Sequence, residues 1–211
     1  MEKNRIIRNQ INTPTPGTRC NASIPTMKSA PNLILIGPMG AGKTALGKRL
    51  AERLGLVFVD ADQQIERDTG ARIPLIFELE GEAGFRQREH ATLARLCANT
   101  HQVIATGGGA ILHPDTRELL PQRGFVLYLA VDLDTQLRRL RHDRQRPLLQ
   151  CEDRRTVLSQ ISARREPLYE AFADLRYDTS HGSLRQGLER LLALLHQHWT
   201  LSATTTLENP A

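Results

Sequence analysis

One eight-residue stretch constrains this chain more than any other part of its sequence. Gly37 to Thr44 reads Gly-Pro-Met-Gly-Ala-Gly-Lys-Thr, a complete G-x-x-x-x-G-K-[ST] pattern directly after the apolar run Leu33 to Ile36. The glycines remove the Cβ atoms that would keep backbone N–H groups away from a polyphosphate. Lys43 adds a positive charge for the phosphates, and the Thr44 hydroxyl suits Mg²⁺. The stretch therefore predicts a nucleotide-binding phosphate loop.

The residues that follow the loop support this interpretation. Leu46, Leu50 and Leu54 recur every four residues, which places them on one face of a helix, and Gly55 stands where a helix stop is expected. The N-terminus of such a helix directs the positive end of its dipole at a bound anion. A glycine turn without a ligand would not require this order of strand, loop and helix.

The composition fits one α/β domain. The 211 residues are 40% hydrophobic, which is enough for a substantial core. The three cysteines, Cys20, Cys97 and Cys151, lie far apart without metal-ligand spacing, so neither a disulfide framework nor a zinc site is indicated. No apolar stretch has the length of a membrane span, and the first residues lack the apolar core of a secretory signal. We expect a cytoplasmic protein without a membrane partner.

The positive charge is concentrated at the start of the chain. The formal net charge is +5, and residues 1–31 contain five basic residues against the single acid Glu2, so the remainder is nearly neutral. We predict a disordered basic extension over 1–31, a folded domain over 32–199 and a disordered tail over 200–211. Two interpretations of the extension stay open: an organelle-targeting peptide, or a functionless segment ahead of a working start at Met27. The nearly neutral folded part indicates no nucleic-acid partner.

Strand and helix patterns alternate along the rest of the chain. Apolar runs predict strands at 33–36, 57–60, 103–106 and 125–129, a brief strand is predicted at 176–178, and helices are predicted between the strands. This alternation predicts a three-layer α/β sandwich, with a central parallel sheet of about five strands covered by helices on both faces. Ligands bind such sheets at the carboxyl ends of the strands, which is where the phosphate loop lies. The arginine-rich stretch 141–153 lacks periodicity and is interpreted as a mobile lid.

Two carboxylates lie at the end of the short strand at 57–60, which we expect to be buried. By the two-residue period of a strand, Asp60 and Asp62 point the same way. Acids beside a triphosphate need a metal ion or a hydroxyl between them and the phosphates. Asp60 is therefore the candidate for holding Mg²⁺ through water, and Asp62 is the candidate for holding a substrate hydroxyl. The alternative for Asp62 is that it caps the following helix.

A predicted helix carries a basic and an acidic residue one turn apart. Arg86 and Glu89 lie at i and i+3, next to Phe85 and after a break near Gly81 and Gly84. A guanidinium held by a carboxylate is preorganised to bind an acidic substrate through two hydrogen bonds. An exposed ion pair is the alternative interpretation of the same spacing.

Two further segments are candidates for ligand contact. The strand at 103–106 runs into Gly107, Gly108 and Gly109, where a ligand could lie against bare backbone N–H groups, although a flexible turn has the same composition. Arg146 precedes Pro-Leu-Leu, and an arginine in a lid can close over phosphates and stabilise the transferring charge. Arg139 and its neighbouring arginines are interpreted as an exposed helix face.

In order along the chain, these motifs resemble those of the shikimate kinases, in the nucleoside-monophosphate-kinase branch of phosphate-loop proteins. The likeness covers about residues 32–199. It rests on five segments: Gly37 to Thr44, Asp60 to Asp62, Phe85 to Glu89, Gly107 to Gly109, and Arg146 to Leu149. The resemblance implies ATP-dependent phosphorylation of the 3-hydroxyl of shikimate, a step towards chorismate and the aromatic amino acids. It implies Mg²⁺ as cofactor and shikimate and ATP as partners.

The resemblance also implies roles for individual residues. The implied ATP-binding residues are Gly40, Ala41, Gly42, Lys43, Thr44, Ala45 and Arg146. The implied substrate-binding residues are Asp62, Arg86, Gly108 and Arg165, the last of which begins the segment Arg165-Glu166-Pro167-Leu168-Tyr169. The implied catalytic residues are Lys43, Asp62 and Arg146, and the implied metal ligands are Thr44 and, through water, Asp60.

One segment departs from the family pattern. Tyr177-Asp178-Thr179 resembles the start of the adenine loop, but His181 and Gly182 stand where an arginine and a proline are often found.

Two other functions remain as alternatives. A gluconate or nucleotide kinase of the same fold would leave two arginines directed at one carboxylate unexplained. Measurable turnover of shikimate would exclude a regulatory module without catalysis. We expect a monomer.

Overall fold

The computed structural model describes residues 27–141 and 153–202. Arg146, nearly all of the expected lid and most of both terminal segments lie outside these residues. In the described part of the chain, no helix is long and apolar enough to span a membrane.

Five parallel strands form the central sheet, in the order β3-β4-β2-β5-β6. They are β2 (Asn32–Ile36), β3 (Val57–Asp60), β4 (Gln102–Ala105), β5 (Phe125–Ala130) and β6 (Leu175–Asp178). The predicted parallel sheet of about five strands is therefore confirmed. The expectation of a buried β3 was wrong, because among the described strands β3 has a neighbour on one side only, and Val57 is 63% exposed.

Seven α-helices surround the sheet in the described residues. They are α1 (Lys43–Leu54), α2 (Ala61–Thr69), α3 (Ile73–Cys97), α4 (Pro114–Arg123), α5 (Leu133–Leu140), α6 (Arg154–Phe172) and α7 (Leu184–His198). Successive strand residues face opposite sides, so Leu35 packs with α1 and α7 whereas Ile36 packs with α3 and α6. The sheet is thus covered on both faces, as a buried parallel sheet requires.

Local residue chemistry explains where two of the helices end or bend. Gly55 follows α1 with a φ of 68°, the left-handed conformation that glycine adopts without strain, so the predicted stop is confirmed. Gly81 interrupts α3 with φ 69° and ψ −177°, a combination open essentially to glycine alone. The kink separates a first segment with Phe77 from a second segment with Arg86.

A second, two-stranded parallel sheet joins the two ends of the domain. Its strands are β1 (Lys28–Ala30) and β7 (Trp199–Leu201). The buried Trp199 indole donates its N–H to the Ala30 carbonyl at 3.1 Å and packs on Phe125. Regular structure thus extends to Lys28 and Leu201, a few residues beyond the expected boundaries at 32 and 199. These strands are three residues long, too short for a visible sequence period, and exist because they pair with each other.

Candidate active site

The phosphate loop connects β2 to α1 at the carboxyl end of the sheet. Gly37, Gly40 and Gly42 have φ values of 136°, 78° and 89°, in the range that favours glycine. A Cβ on Gly37 would also overlap the carbonyl of Leu129. The Lys43 ammonium lies across the loop and donates to the carbonyl of Gly37 at 2.6 Å and to that of Pro38 at 2.9 Å.

Asp60 joins the phosphate loop to the start of α2. Its Oδ2 accepts a hydrogen bond from the Thr44 hydroxyl at 2.8 Å, and its Oδ1 accepts one from the Gln63 N–H at 3.3 Å. Asp60 is therefore the N-cap of α2, the role that sequence reasoning had left open for Asp62. The expectation that both acids follow a strand period was wrong, because the chain turns into a helix at Ala61.

A cavity of about 130 Å³ opens beside the phosphate loop and brings together residues from five parts of the chain. All four expected substrate-binding residues line it: Asp62, Arg86, Gly108 and Arg165. Its wall also contains apolar side chains, among them Ile73, Phe77 and Phe85. The cavity thus combines two cations and two acids, Asp62 and Glu89, with an apolar wall. We call it the acceptor cavity.

Arg86 and Glu89 form an ion pair that is buried, so the exposed-pair interpretation was wrong. The Glu89 side chain is 1% exposed and contacts Arg86 Nη1, while Arg86 Nη2 lies 3.4 Å from Glu82. The guanidinium carbon lies 5.1 Å from the ring centre of Phe85 and 5.8 Å from that of Phe77. Burial raises the pKa of Glu89 to about 7, with the Asp62 charge adding to the rise and Arg86 opposing it.

Charged side chains lie against two of the three glycines, Gly107 and Gly109. A Cβ on Gly107 would overlap the Glu89 carboxylate and approach the Asp62 carboxylate to 2.7 Å. A Cβ on Gly109 would overlap the Arg86 guanidinium. The glycine segment is therefore packed between ionic side chains, which the alternative of a flexible turn does not explain.

Arg165 enters the cavity from α6. It is 8% exposed, and its Nη1 donates to the Gly108 carbonyl at 3.1 Å. The same carbonyl accepts a hydrogen bond from the hydroxyl of Tyr169, which sequence reasoning did not single out. The spacing of four residues between Arg165 and Tyr169 on a predicted helix places both on one face, and this spacing could have indicated that Tyr169 belongs to the site.

Two side chains of α5 hold the phosphate loop, and sequence reasoning missed both. Arg139 donates to the Gly40 carbonyl at 3.0 Å and to the Thr179 carbonyl at 2.6 Å, so it is more than an exposed helix face. The buried Gln136 donates to the Met39 carbonyl at 2.9 Å. Arg139 also borders a cavity of about 270 Å³ that includes Ala41, Ala45, Tyr177 and His181, which we call the nucleoside cavity.

Comparison with known proteins decides the family. Residues 39–196 match the family model described as shikimate kinase. The chain belongs to the shikimate kinase family. The shikimate kinase of Stenotrophomonas maltophilia (strain K279a) is 52% identical over 173 residues, 82% of this chain and 96% of that relative. That of Xanthomonas axonopodis pv. citri (strain 306) is 50% identical over 185 residues, 88% of this chain and all of that relative.

Solved structures of shikimate kinases also match this fold. The Acinetobacter baumannii shikimate kinase in complex with shikimate has a TM-score of 0.76 and 47% identity, and the match covers 79% of this chain and 93% of that chain. The Bacteroides thetaiotaomicron enzyme has a TM-score of 0.72 and 35% identity, with coverage of 78% and 98%. The predicted family and the phosphate-loop kinase fold are therefore confirmed.

Proposed function

We propose that the protein transfers the γ-phosphoryl group of ATP to the 3-hydroxyl of shikimate, a step of chorismate and aromatic amino acid biosynthesis. The observation that carries this proposal is the acceptor cavity, where two guanidiniums and two acidic side chains converge next to a phosphate loop. The glycine segment approaches that loop so closely that a Cβ on Gly108 would lie 3.3 Å from the Met39 nitrogen. Membership of the family and the shikimate complex of a 47% identical relative support the same acceptor.

The cavity residues suit an acid that also carries hydroxyl groups. Arg86 and Arg165 supply two guanidiniums for one carboxylate, an arrangement that allows paired, charge-assisted hydrogen bonds. Asp62 supplies a carboxylate that accepts a hydrogen bond from the acceptor hydroxyl. The rings of Phe77 and Phe85 pack on each other, with their centres 4.4 Å apart, and would cover the apolar part of the acceptor. The Arg86 guanidinium lies close to both rings.

The nucleotide would lie along the phosphate loop. Backbone N–H groups of Gly40 to Ala45 and the Lys43 ammonium would bind the phosphates. The ammonium would then donate its hydrogen bonds to phosphate oxygens in place of the carbonyls of Gly37 and Pro38. The nucleoside cavity shares Ala41, Gly42 and Ala45 with the loop, so it suits the rest of the nucleotide. We assign the lid role to Arg146 on its sequence motif alone.

Thr44 and Asp60 fit the Mg²⁺ that ATP carries. A hydroxyl and a carboxylate 2.8 Å apart form the all-oxygen donor set that Mg²⁺ prefers. Because both Asp60 oxygens already accept hydrogen bonds, we infer that Thr44 would bind the ion directly and Asp60 would bind it through water. An ion held there would neutralise phosphate charge.

The reaction forms one P–O bond and breaks another. The acceptor oxygen attacks the γ-phosphorus, the bond to the β-phosphate oxygen breaks, and ADP leaves with the bonding electrons. The hydroxyl proton passes to Asp62, which also orients the oxygen for attack. Because the transition state is loose in most analyses, positioning by Arg86 and Arg165 and charge stabilisation by Lys43 supply most of the rate.

A coupled assay of ADP release tests the proposal. The purified protein with Mg·ATP is given shikimate, gluconate or a nucleoside monophosphate at equal concentrations. We expect shikimate to give much the fastest release, because it alone combines a carboxylate for both arginines with a ring for the apolar wall. The Lys43→Met variant controls for contaminating kinases. Equal rates with every acceptor, or an equal rate with that variant, would refute the assignment.

A further inference from the structure

Tyr169 is a buried side chain of the site that the chemistry above does not use. It is 2% exposed and follows Arg165 by four residues on α6, so both side chains project from one face of the helix. Its ring stacks on that of Tyr128 with the ring centres 5.0 Å apart. Burial raises the pKa of the Tyr169 hydroxyl, so at neutral pH the hydroxyl keeps its proton and can donate it to a hydrogen bond.

Tyr169 and Arg165 donate to the same atom. The Gly108 carbonyl oxygen accepts one hydrogen bond from Arg165 Nη1 at 3.1 Å and another from the Tyr169 hydroxyl. A carbonyl oxygen has two lone pairs, so these two donors fill its capacity. The carbonyl is therefore held from two directions, in a segment whose own residues have no side chains to hold it.

The position of this carbonyl affects the acceptor cavity directly. Gly108 lies between the phosphate loop and the cavity, and Arg165 reaches the cavity while bonded to the Gly108 oxygen. A rotation of the Gly108 peptide would therefore move the Arg165 guanidinium. Arg165 lines the acceptor cavity and is not among the residues around the nucleoside cavity.

We propose that Tyr169 is a positioning residue for the acceptor. Its hydroxyl holds the Gly108 carbonyl, and that carbonyl holds the Arg165 guanidinium in the orientation that binds the acceptor's carboxylate. The inference rests on the proposed function, because it concerns the same acceptor. It predicts that the hydroxyl affects acceptor binding and leaves nucleotide binding unchanged.

The Tyr169→Phe variant tests the inference, because it removes one oxygen and keeps the stacked ring. We expect the KM for shikimate to rise about 3- to 10-fold, as for the loss of one hydrogen bond, with the KM for ATP within about twofold of wild type. The matched control is Tyr128→Phe, which removes the hydroxyl of the ring stacked on Tyr169. We expect the control to leave the KM for shikimate within about twofold of wild type.

A double-mutant cycle shows whether the hydroxyl acts through Arg165. In an Arg165→Lys background the effect of Tyr169→Phe on the KM for shikimate should largely disappear, because the guanidinium that the carbonyl holds is already absent. Fully additive effects would overturn the inference. So would an unchanged KM for shikimate in Tyr169→Phe, or a parallel rise in both KM values. A wild-type protein that does not phosphorylate shikimate would overturn the proposed function itself, and this inference with it.

Discussion

Replacing Arg86 with lysine separates acceptor recognition from simple charge. The variant keeps a positive charge beside Glu89 but loses the planar group that can bind Glu89 on one side and a ligand carboxylate on the other. A lysine ammonium has its three donors on one nitrogen and cannot span both partners in the same geometry. It also loses the flat face that lies over Phe85 and Phe77.

The size of the effect follows from the bond that is lost. Because Arg86 is 12% exposed and Glu89 is 1% exposed, a hydrogen bond made here to a ligand carboxylate is poorly screened by water. A hydrogen bond to a charged group contributes about 1.5 to 3 kcal/mol, which corresponds to a roughly 10- to 150-fold rise in the KM for shikimate. The KM for ATP should change little, because Arg86 does not line the nucleoside cavity.

Steady-state kinetics with each substrate varied in turn would measure both constants. Arg88→Lys is the matched control, because Arg88 lies on the same helix, pairs with Glu80 at 2.6 Å and has a 48% exposed side chain. We expect that control to leave both KM values near wild type, since exposed ion pairs contribute little. If the two KM values rose together in Arg86→Lys, or if only its melting temperature fell, Arg86 would be a structural ion-pair residue and our reasoning would be wrong.

Three further predictions concern the reacting hydroxyl, the buried acid and the chain ends. Asp62→Asn should lower kcat by roughly 10²- to 10⁴-fold while the KM for ATP and the melting temperature stay near wild type; a near-normal kcat would exclude Asp62 as base or essential orienter. The pKa of Glu89 is raised from 4.5 in the unfolded chain to about 7 in the folded protein. Between these two pH values the folded protein binds a proton that the unfolded chain has lost. The stability contributed by Glu89 therefore falls as the pH rises from 4.5 to about 7. Thermal melts from pH 5 to 8 should show that loss in wild type relative to Glu89→Gln, which cannot titrate, and identical pH profiles would contradict the assignment. A chain that begins at Met27 should keep its melting temperature and activity. A chain that begins at Asn32 lacks β1 and should melt about 2–8 °C lower, which corresponds to a loss of about 1 to 2 kcal/mol in stability. Equal melting temperatures for the two chains would show that the β1–β7 pair does not stabilise the domain.

The backbone of the phosphate loop and the ends of several elements could be predicted from the sequence. The glycines of the loop, the stop at Gly55 and the break at Gly81 all adopt positive φ values, and each is a property of that residue's own backbone. The parallel sheet and the position of the loop at the carboxyl ends of its strands follow from the alternation of strands and helices, whereas the strand order β3-β4-β2-β5-β6 came from the structure. These features are local or depend on general rules of chain connection.

Other parts of the site could not be predicted because they depend on contacts between distant residues. Arg139 and the Gly40 carbonyl are 99 residues apart, and the Trp199 indole and the Ala30 carbonyl are 169 residues apart. Neither contact leaves a period or a motif in the sequence. The short strand β1 and the support of the phosphate loop from α5 were therefore missed.

The sequence by itself determined that this chain builds a phosphate loop on a parallel sheet, and its ordered motifs were enough to identify the family. It did not determine whether Arg86 and Glu89 form an exposed or a buried pair, because a spacing of three residues places them on one helix face in either case. The tertiary structure decided that question by packing the glycine segment and two phenylalanines against them. Backbone dihedrals and helix ends are set by neighbouring residues, whereas burial, and with it the strength of an ion pair, is set by elements brought together from distant parts of the chain.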